Sequence, residues 1–224
     1  MNENEYAIGD LVLYKNNQLI AFNKPPNVPV QDDKSQDKSL LALGEIYTKQ
    51  KLHLIHRLDR PTSGVVLFAK TENALIALNE QFQHREVRKI YLAVVKEMPP
   101  KMEGTLVHFL RKNARQNRSI ASATETPGSK RAELTYAYRK SIDNYHLLEI
   151  ELITGRHHQI RAQLSAIGCP IKGDDKYGFK RANPDRSIHL HARKLRFTHP
   201  TTAETDEIIA PVPKGDPVWE AFEI

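Results

Sequence analysis

Many short strand-like runs and only three helical stretches alternate along this chain, and that pattern limits its fold more than any other feature. A mixture of this kind favours a sheet with helices packed against it. We therefore predict an α+β fold with a mixed, largely antiparallel sheet flanked by helices and loops. The predicted strands are 11–23 (a pair around Asn16 and Asn17), 65–69, 90–95, 134–138, 147–153 and 189–197.

The first predicted helix covers residues 39–50. Thr71 is expected to cap the second, and Gly168 with Pro170 to end the third. The polar residues 112–130 are predicted to form an exposed loop, and the residues after 197 an extended tail. The apolar faces consist of Leu75, Leu78 and Phe82 in the second helix and of Ile160, Leu164 and Ile167 in the third.

Length, composition and net charge limit the classes of protein to which this chain can belong. A chain of 224 residues suggests one domain with an ample core, and 40% apolar with 27% charged residues is typical of a globular protein in water. The excess of Lys and Arg over Asp and Glu is 33 − 27 = +6, which favours a polyanionic partner. Seven basic and two acidic residues lie in 111–139. That segment is either a solvated loop or a surface that follows phosphates.

Several classes of site have little support. Cys169 is the only cysteine, so neither a disulfide nor a thiolate zinc site is available. Adjacent histidines such as His157 and His158, without a carboxylate cluster, are weak metal ligands, and no Gly-rich phosphate loop is present. The chain lacks a run of about 20 apolar residues, and MNENEYAIGD lacks the features of a signal peptide. We expect a cytoplasmic protein without metal or membrane partner.

The stretch HRLDRPTSG places the carboxylate of Asp59 between Arg57 and Arg60, just before a buried-looking strand. A guanidinium beside a carboxylate favours its ionised form, which suits a nucleophile or a stabiliser of positive charge at a sugar carbon. Alternatively, Asp59 only organises its loop through hydrogen bonds to the backbone. A glycoside hydrolase would need a second carboxylate, and none is evident nearby.

Several separated segments resemble the RluA family of RNA pseudouridine synthases, in order and over nearly the whole chain. They are HRLDRPTSG, LITGRHHQIRAQLSAIGCPIKGDDKYG, FNKPPNVPV, RKIYLAVV and LHARKLRFTHP. The resemblance implies the fold of the family's catalytic domain over residues 1–224 and no separate N-terminal RNA-binding domain. RNA affinity would then come from the catalytic domain itself, with Lys130 and Arg131 as candidate phosphate contacts.

The resemblance also implies roles for five residues. Asp59 matches the essential aspartate, and Arg161 matches the arginine that forms an ion pair with it. Tyr91 matches the tyrosine that stacks on the target uracil, and Ile160 an apolar residue of the same pocket. Arg57 lies in the motif that helps to open the RNA and fill the vacated space. Taken singly, Tyr91 could be an ordinary strand tyrosine and Arg161 an exposed helical arginine.

This chain differs from the family pattern at three positions. These differences affect the polarity of the pocket and the choice of RNA rather than the five residues with implied roles. The family commonly has Thr or Ser at His157, and His at Gln163 and at Cys169.

The implied activity is the isomerisation of a specific uridine to pseudouridine in structured RNA, either ribosomal or transfer RNA. The target base would be flipped out of its stack, because enzymes that modify bases cannot reach them inside it. The base never leaves the enzyme, so no cofactor is expected, and we expect a monomer. The alternatives are a non-catalytic RNA-binding or ribosome-assembly factor and, more distantly, a hydrolytic nucleosidase.

Overall fold

The computed structural model describes residues 7–224, and the predicted α+β class is confirmed. The first six residues, part of the segment that lacks signal-peptide features, lie outside the described residues. The elements in chain order are β1 (Val12–Lys15), β2 (Leu19–Lys24), α1 (Leu40–Thr48), β3 (His53–Leu54), β4 (Ser63–Ala69), α2 (Glu72–His84), β5 (Arg88–Val95), β6 (Glu103–Asn113), β7 (Arg118–Ser122), β8 (Lys130–Ile142), β9 (Tyr145–Leu152), α3 (Gln159–Ala166), β10 (Leu190–Thr198), β11 (Thr205–Ile209) and α4 (Pro217–Ala221), with short 3-10 helices at Ile8–Leu11 and Asp175–Tyr177.

The chain forms two compact units, and each unit combines two stretches of sequence. Among the described residues, the first contains 7–87 together with Ala192–Val212, and the second contains Arg88–His191 together with Pro213–Ile224. The expectation that residues 1–224 act as a single catalytic domain stays a prediction.

In the first unit, β4 is the central strand of the sheet. It lies between β2 and β10, and all seven of its residues are buried, as the continuous apolar run predicts. The pairs β1–β2, β2–β4, β3–β4 and β10–β11 are antiparallel. Gly64 allows β10 to approach, because a Cβ atom there would lie 2.3 Å from the carbonyl oxygen of Ala192.

Side-chain caps set where the helices of this unit begin. The Thr71 hydroxyl accepts a hydrogen bond from the Ala74 N–H at 3.3 Å, so the predicted cap of α2 is confirmed. Ser39 caps α1 in the same way. Leu78 of α2 is fully buried in a core that also contains Leu67 of β4. These contacts hold α2 against one face of the sheet.

The sheet of the second unit has the order β5-β9-β8-β6-β7, and every pair is antiparallel. Helix α3 packs on it through Ala162, which contacts a small core formed by Leu110 and Ala132. Near the C-terminus, Asp216 caps α4 and also lies 3.1 Å from Nε2 of His189.

Two expectations about secondary structure are wrong. Residues 112–130 are not a continuous loop, because they contain the end of β6 and all of β7. In β7 the one large apolar residue, Ile120, is 37% exposed, whereas Ser119 is buried, so the polarity of the strand does not reveal its inner face. The residues after 197 are not an extended tail either, since they form β11 and α4.

Candidate active site

Asp59 lies in the loop that joins β3 to β4 in the first unit, and it is half-buried. Its backbone carbonyl accepts a hydrogen bond from the Thr62 N–H at 3.0 Å. His56, earlier in the same loop, accepts one from the Leu67 N–H of β4 through Nε2 at 3.1 Å. The first bond closes a turn at Asp59 and the second ties His56 to β4, so both help to hold the segment that carries the carboxylate.

A lysine without any exposure to solvent supports this loop. The Nζ of Lys24, at the end of β2, donates to three backbone carbonyls, those of Pro25 at 2.9 Å, Val28 at 2.8 Å and Arg60 at 3.0 Å. One acceptor is therefore the residue directly after Asp59. The ammonium ties the loop to the segment that follows β2.

Lys24 also affects the charge balance around Asp59. Burial lowers the pKa of Lys24 from its usual range to about 7, while the carboxylate of Asp59 acts in the opposite direction. The three acceptors match the three N–H donors of the charged form. Sequence analysis did not single out Lys24, although it lies within FNKPPNVPV. The available signal was a charged residue directly after the predicted strand pair 11–23, separated by Asn23 from the apolar residues 19–22.

The two arginines beside Asp59 differ in their surroundings. Arg57 is exposed. Arg60 forms ion pairs at the surface with Asp33, at 3.2 Å, and with Asp37. The structure therefore gives Arg60 two acidic partners in the segment before α1, which the HRLDRPTSG motif alone did not indicate.

Tyr91 lies in β5 of the second unit, opposite Ile150 of β9, and is 9% exposed. A buried tyrosine in a strand is compatible with both interpretations given above, a structural residue and one that stacks on a uracil. Its role in catalysis stays a prediction.

Arg161 is buried rather than exposed, so the alternative of a solvated helical arginine is wrong. Its Nε donates to Oδ2 of Asp174 at 2.7 Å and its NH2 group to Oδ1 at 2.9 Å, in a bidentate pair with both side chains buried. The guanidinium also lies over the Tyr177 ring, 4.9 Å from its centroid. Ile160, beside it in α3, is buried as well. Asp174 was missed, because a pair 13 residues apart joins two elements whose packing the sequence does not show.

Tyr177 is itself held by β7 and by the start of α3. Its hydroxyl accepts a hydrogen bond from the Ser119 N–H at 2.7 Å and lies 3.0 Å from Nδ1 of His158. The ring of His158 stacks on that of His157 at 3.8 Å. The paired histidines therefore contribute to the support of Tyr177, and through it of Arg161.

Lys130 and Arg131 are both exposed at the start of β8 rather than in a loop. Arg131 forms an ion pair with Glu133 at 2.5 Å. Their predicted contact with phosphates stays a prediction, and the pairing reduces the positive charge that Arg131 can offer.

Among residues 7–224, the structure shows no group of three or more His, Cys, Asp or Glu side chains arranged to hold a metal ion. Within the same range no helix is both long enough and apolar enough to cross a membrane. Asp59 belongs to the first unit, whereas Tyr91, Ile160 and Arg161 belong to the second. Their action on one substrate stays a prediction.

Comparison with known proteins identifies the family. A family described as RNA pseudouridylate synthase matches residues 18–166. The ribosomal large subunit pseudouridine synthase C of Rickettsia prowazekii is 34% identical over 210 residues, which cover 91% of this chain and 68% of the relative. The Escherichia coli protein of the same name is 32% identical over 219 residues, with 93% and 68% covered. The chain spans about two thirds of the length of these relatives.

Solved structures agree on the fold. Human RNA pseudouridylate synthase domain containing 1 superposes with a TM-score of 0.78 over 98% of this chain and 90% of that one, at 24% identity. Human RNA pseudouridylate synthase domain containing 4 gives a TM-score of 0.76 over 92% and 90%, also at 24% identity. The resemblance to the RluA family is thereby confirmed: the chain belongs to the RNA pseudouridylate synthase family and is an RNA pseudouridine synthase.

Proposed function

We propose that this enzyme isomerises one specific uridine of large-subunit ribosomal RNA to pseudouridine. The observation that carries the proposal is the similarity, over more than nine tenths of the chain, to relatives named as pseudouridine synthases of the large ribosomal subunit. For this reason we prefer ribosomal RNA to transfer RNA, the other substrate that the sequence left open.

The reaction is balanced within one nucleotide. The bond from uracil N1 to the sugar carbon C1′ breaks, and a bond from uracil C5 to C1′ forms. N1 gains a proton and C5 loses one, so no oxidant, reductant or second substrate enters. We therefore propose that the enzyme works without a cofactor, and we separately propose that it acts in the cytoplasm and as a monomer.

We propose Asp59 as the nucleophile that begins this exchange. Its support is the loop geometry, which fixes the backbone and leaves the carboxylate half-buried. Burial alone would favour the neutral acid, whereas nearby cations favour the anion that a nucleophile requires. Lys24 is one such cation within the first unit.

We propose Arg161 as a second cation for Asp59. Asp174 takes two hydrogen bonds from its guanidinium. A guanidinium has five N–H donors, so one arginine can serve two carboxylates. In this arrangement Asp174 would orient Arg161, and Arg161 would keep Asp59 ionised.

We propose that Tyr91 and Ile160 receive the extruded uracil, Tyr91 by stacking and Ile160 by apolar contact. Arg57, which is exposed in the same loop as Asp59, would occupy the space that the flipped nucleotide leaves in the RNA.

Replacement of Asp59 by asparagine tests the proposed nucleophile. We expect Asp59→Asn to keep the fold and RNA binding, because the amide has nearly the same shape. We expect its rate of tritium release from RNA labelled at uracil C5 to fall about 1,000-fold or more, since the amide cannot act as an anionic nucleophile. Thermal unfolding would show whether the fold is retained.

The matched control is Asp10→Asn, which removes an exposed carboxylate of the same unit that lies outside the loop of Asp59. The control should release tritium at the wild-type rate. Substantial release by Asp59→Asn would reject the assignment. Mapping pseudouridines in large-subunit ribosomal RNA from cells with and without the protein would identify the target, and an unchanged map would contradict the proposed substrate.

A further inference from the structure

A cleft in the second unit has no role in the functions assigned so far. Its volume is about 450 Å³, and it lies between β7 and the segment that carries α3 and Tyr177. Arg118, Ser165 and Lys176 border it, and Tyr177 lines it.

Arg118 carries a hydrogen-bond donor that lacks a partner. Its Nε is buried and has no acceptor among residues 7–224. Native structures pair most buried donors, so an unpaired one requires an explanation. A guanidinium can offer Nε and one terminal nitrogen together to two oxygens of a phosphate. Because Nε is covered, the Arg118 side chain would have to turn toward the cleft to present it to a phosphate, and that turn would break no existing hydrogen bond at Nε.

The charges around the cleft favour an anion. Lys176 is exposed and adds a second positive charge. Asp175 also borders the cleft, and its Oδ2 lies 3.5 Å from NH1 of Arg186 in an exposed ion pair that offsets part of its charge. The Ser165 hydroxyl already donates to the backbone carbonyl of Tyr177 at 2.6 Å. The donors that remain for a ligand are therefore cationic.

The cleft shares a wall with the candidate active site. Tyr177, which lines the cleft, is also the residue over whose ring the Arg161 guanidinium lies, and Ser119, next to Arg118, donates its N–H to the Tyr177 hydroxyl. An anion in the cleft would therefore lie close to the residues that support Arg161.

We propose that this cleft binds one backbone phosphate of the RNA substrate, at a nucleotide that flanks the isomerised uridine. Arg118 supplies a bidentate contact and Lys176 a second charge. The inference rests on the proposed function for the identity of the polyanion. It deepens that function by assigning RNA binding to a site that the sequence, with its emphasis on Lys130 and Arg131, did not indicate.

Binding of RNA by Arg118→Gln tests the proposal. The probes are fluorescein-labelled, unmodified transcripts of large-subunit ribosomal RNA, and all proteins carry Asp59→Asn so that the substrate is not consumed. We expect the Kd, measured by anisotropy, to rise about tenfold at low salt. The slope of log affinity against log salt concentration should become shallower by about 1, the change expected when one fewer phosphate is neutralised.

Arg115→Gln is the matched control. Arg115 is exposed in the turn between β6 and β7 and does not border the cleft. We expect it to change the salt slope by less than half as much as Arg118→Gln, because it removes the same charge from the same hairpin without removing the proposed contact. An equal effect of the two variants would mean that only overall charge matters, which would overturn the proposal.

Two further measurements keep the test decisive if Arg118→Gln folds poorly. Lys176→Gln changes an exposed side chain and should weaken binding in the same direction by a smaller factor. A single neutral methylphosphonate linkage beside the target uridine should weaken binding by the protein with Arg118 intact, and Lys176→Gln should add little to that loss. Wild-type salt slopes in both cleft variants would overturn the proposal.

Catalytic assays separate this inference from the proposed function. With Asp59 intact, Arg118→Gln should raise KM about tenfold and leave kcat within about twofold, as expected when ground-state and transition-state binding are lost equally. If the salt slopes change as expected but no wild-type tritium release occurs, the proposed reaction fails and the phosphate site stands. If release is normal and the slopes are unchanged, the phosphate site alone fails.

Discussion

The most unusual single residue in the first unit is a lysine that has no contact with water. Lys24 is 0% exposed, yet its ammonium has three carbonyl acceptors and lies near the carboxylate of Asp59. The acceptors and the carboxylate offset part of the cost of burying a charge. The residue thus links the position of the Asp59 loop to its electrostatics.

Lys24 should make the stability of the protein depend on pH in an identifiable window. Its pKa is about 7 in the folded state and lies near 10.4 in an unfolded chain. Between these values the unfolded state binds more protons, so the free energy of unfolding should rise with pH from about 7 to about 10. In Lys24→Met this contribution is absent, and the variant should lose stability relative to the wild type as pH rises. Urea unfolding of both proteins at several pH values measures the difference.

Asp59→Asn provides the control for that experiment. Asp59 raises the pKa of Lys24, so removal of its charge should move the lower end of the window below pH 7. Parallel curves for the wild type and Lys24→Met between pH 7 and 10 would show that the three carbonyls keep Lys24 charged throughout. That result would contradict the lowered pKa.

At the scale of elements, the close contact between β4 and β10 depends on one glycine. Gly64 has φ = +113°, and a Cβ there would lie 2.3 Å from the carbonyl oxygen and 2.6 Å from the nitrogen of Ala192. Gly64→Ala should lower the free energy of unfolding by about 3 kcal/mol or more, since it adds both a backbone clash and an unfavourable φ. Denaturant unfolding measures this loss.

Gly128→Ala separates these two causes. Gly128 also has a positive φ, +77°, but nothing lies within 4 Å of a Cβ added there. We expect a loss of about 1 kcal/mol from backbone strain alone. Equal losses in the two variants would mean that the strands can separate slightly at little cost, and the interpretation of Gly64 would be wrong.

The elements also show how far the sequence could predict this structure. Strands with buried apolar runs, such as β4, and helices with a side-chain cap, such as α2, were predicted because the signal lies within a few consecutive residues. Strand β7 was missed because its inward residue is Ser119 and its outward residue Ile120. Lys24 and Asp174 were missed because their roles arise from partners that only folding brings near them. The resemblance to the family indicated the acid and the arginine but not the residues that hold them.

At the scale of the whole molecule, the net charge of +6 suits an RNA-binding protein, but the individual charges are not equivalent. Arg131 is already paired with Glu133, whereas no ion pair is seen for Lys130 among residues 7–224. Lys130→Gln should therefore reduce the salt dependence of RNA binding by about one phosphate contact, and Arg131→Gln by less. Salt titrations of the single variants and the double variant measure these contributions. Equal reductions, or none, would contradict this assignment.

Each unit is built from two separate stretches of sequence, and this arrangement has a consequence during synthesis. Strands β10 and β11 complete the first unit, and α4 completes the second, so the first cannot finish folding until residues up to Ile209 have emerged from the ribosome, and the second until residues up to Ala221 have emerged. Until then, the hydrogen-bonding edge of β4 that β10 later covers is open to other nascent strands. A prematurely terminated product that ends before Ala192 would lack part of both units, and we expect such fragments to aggregate or be degraded rather than to persist as half-enzymes.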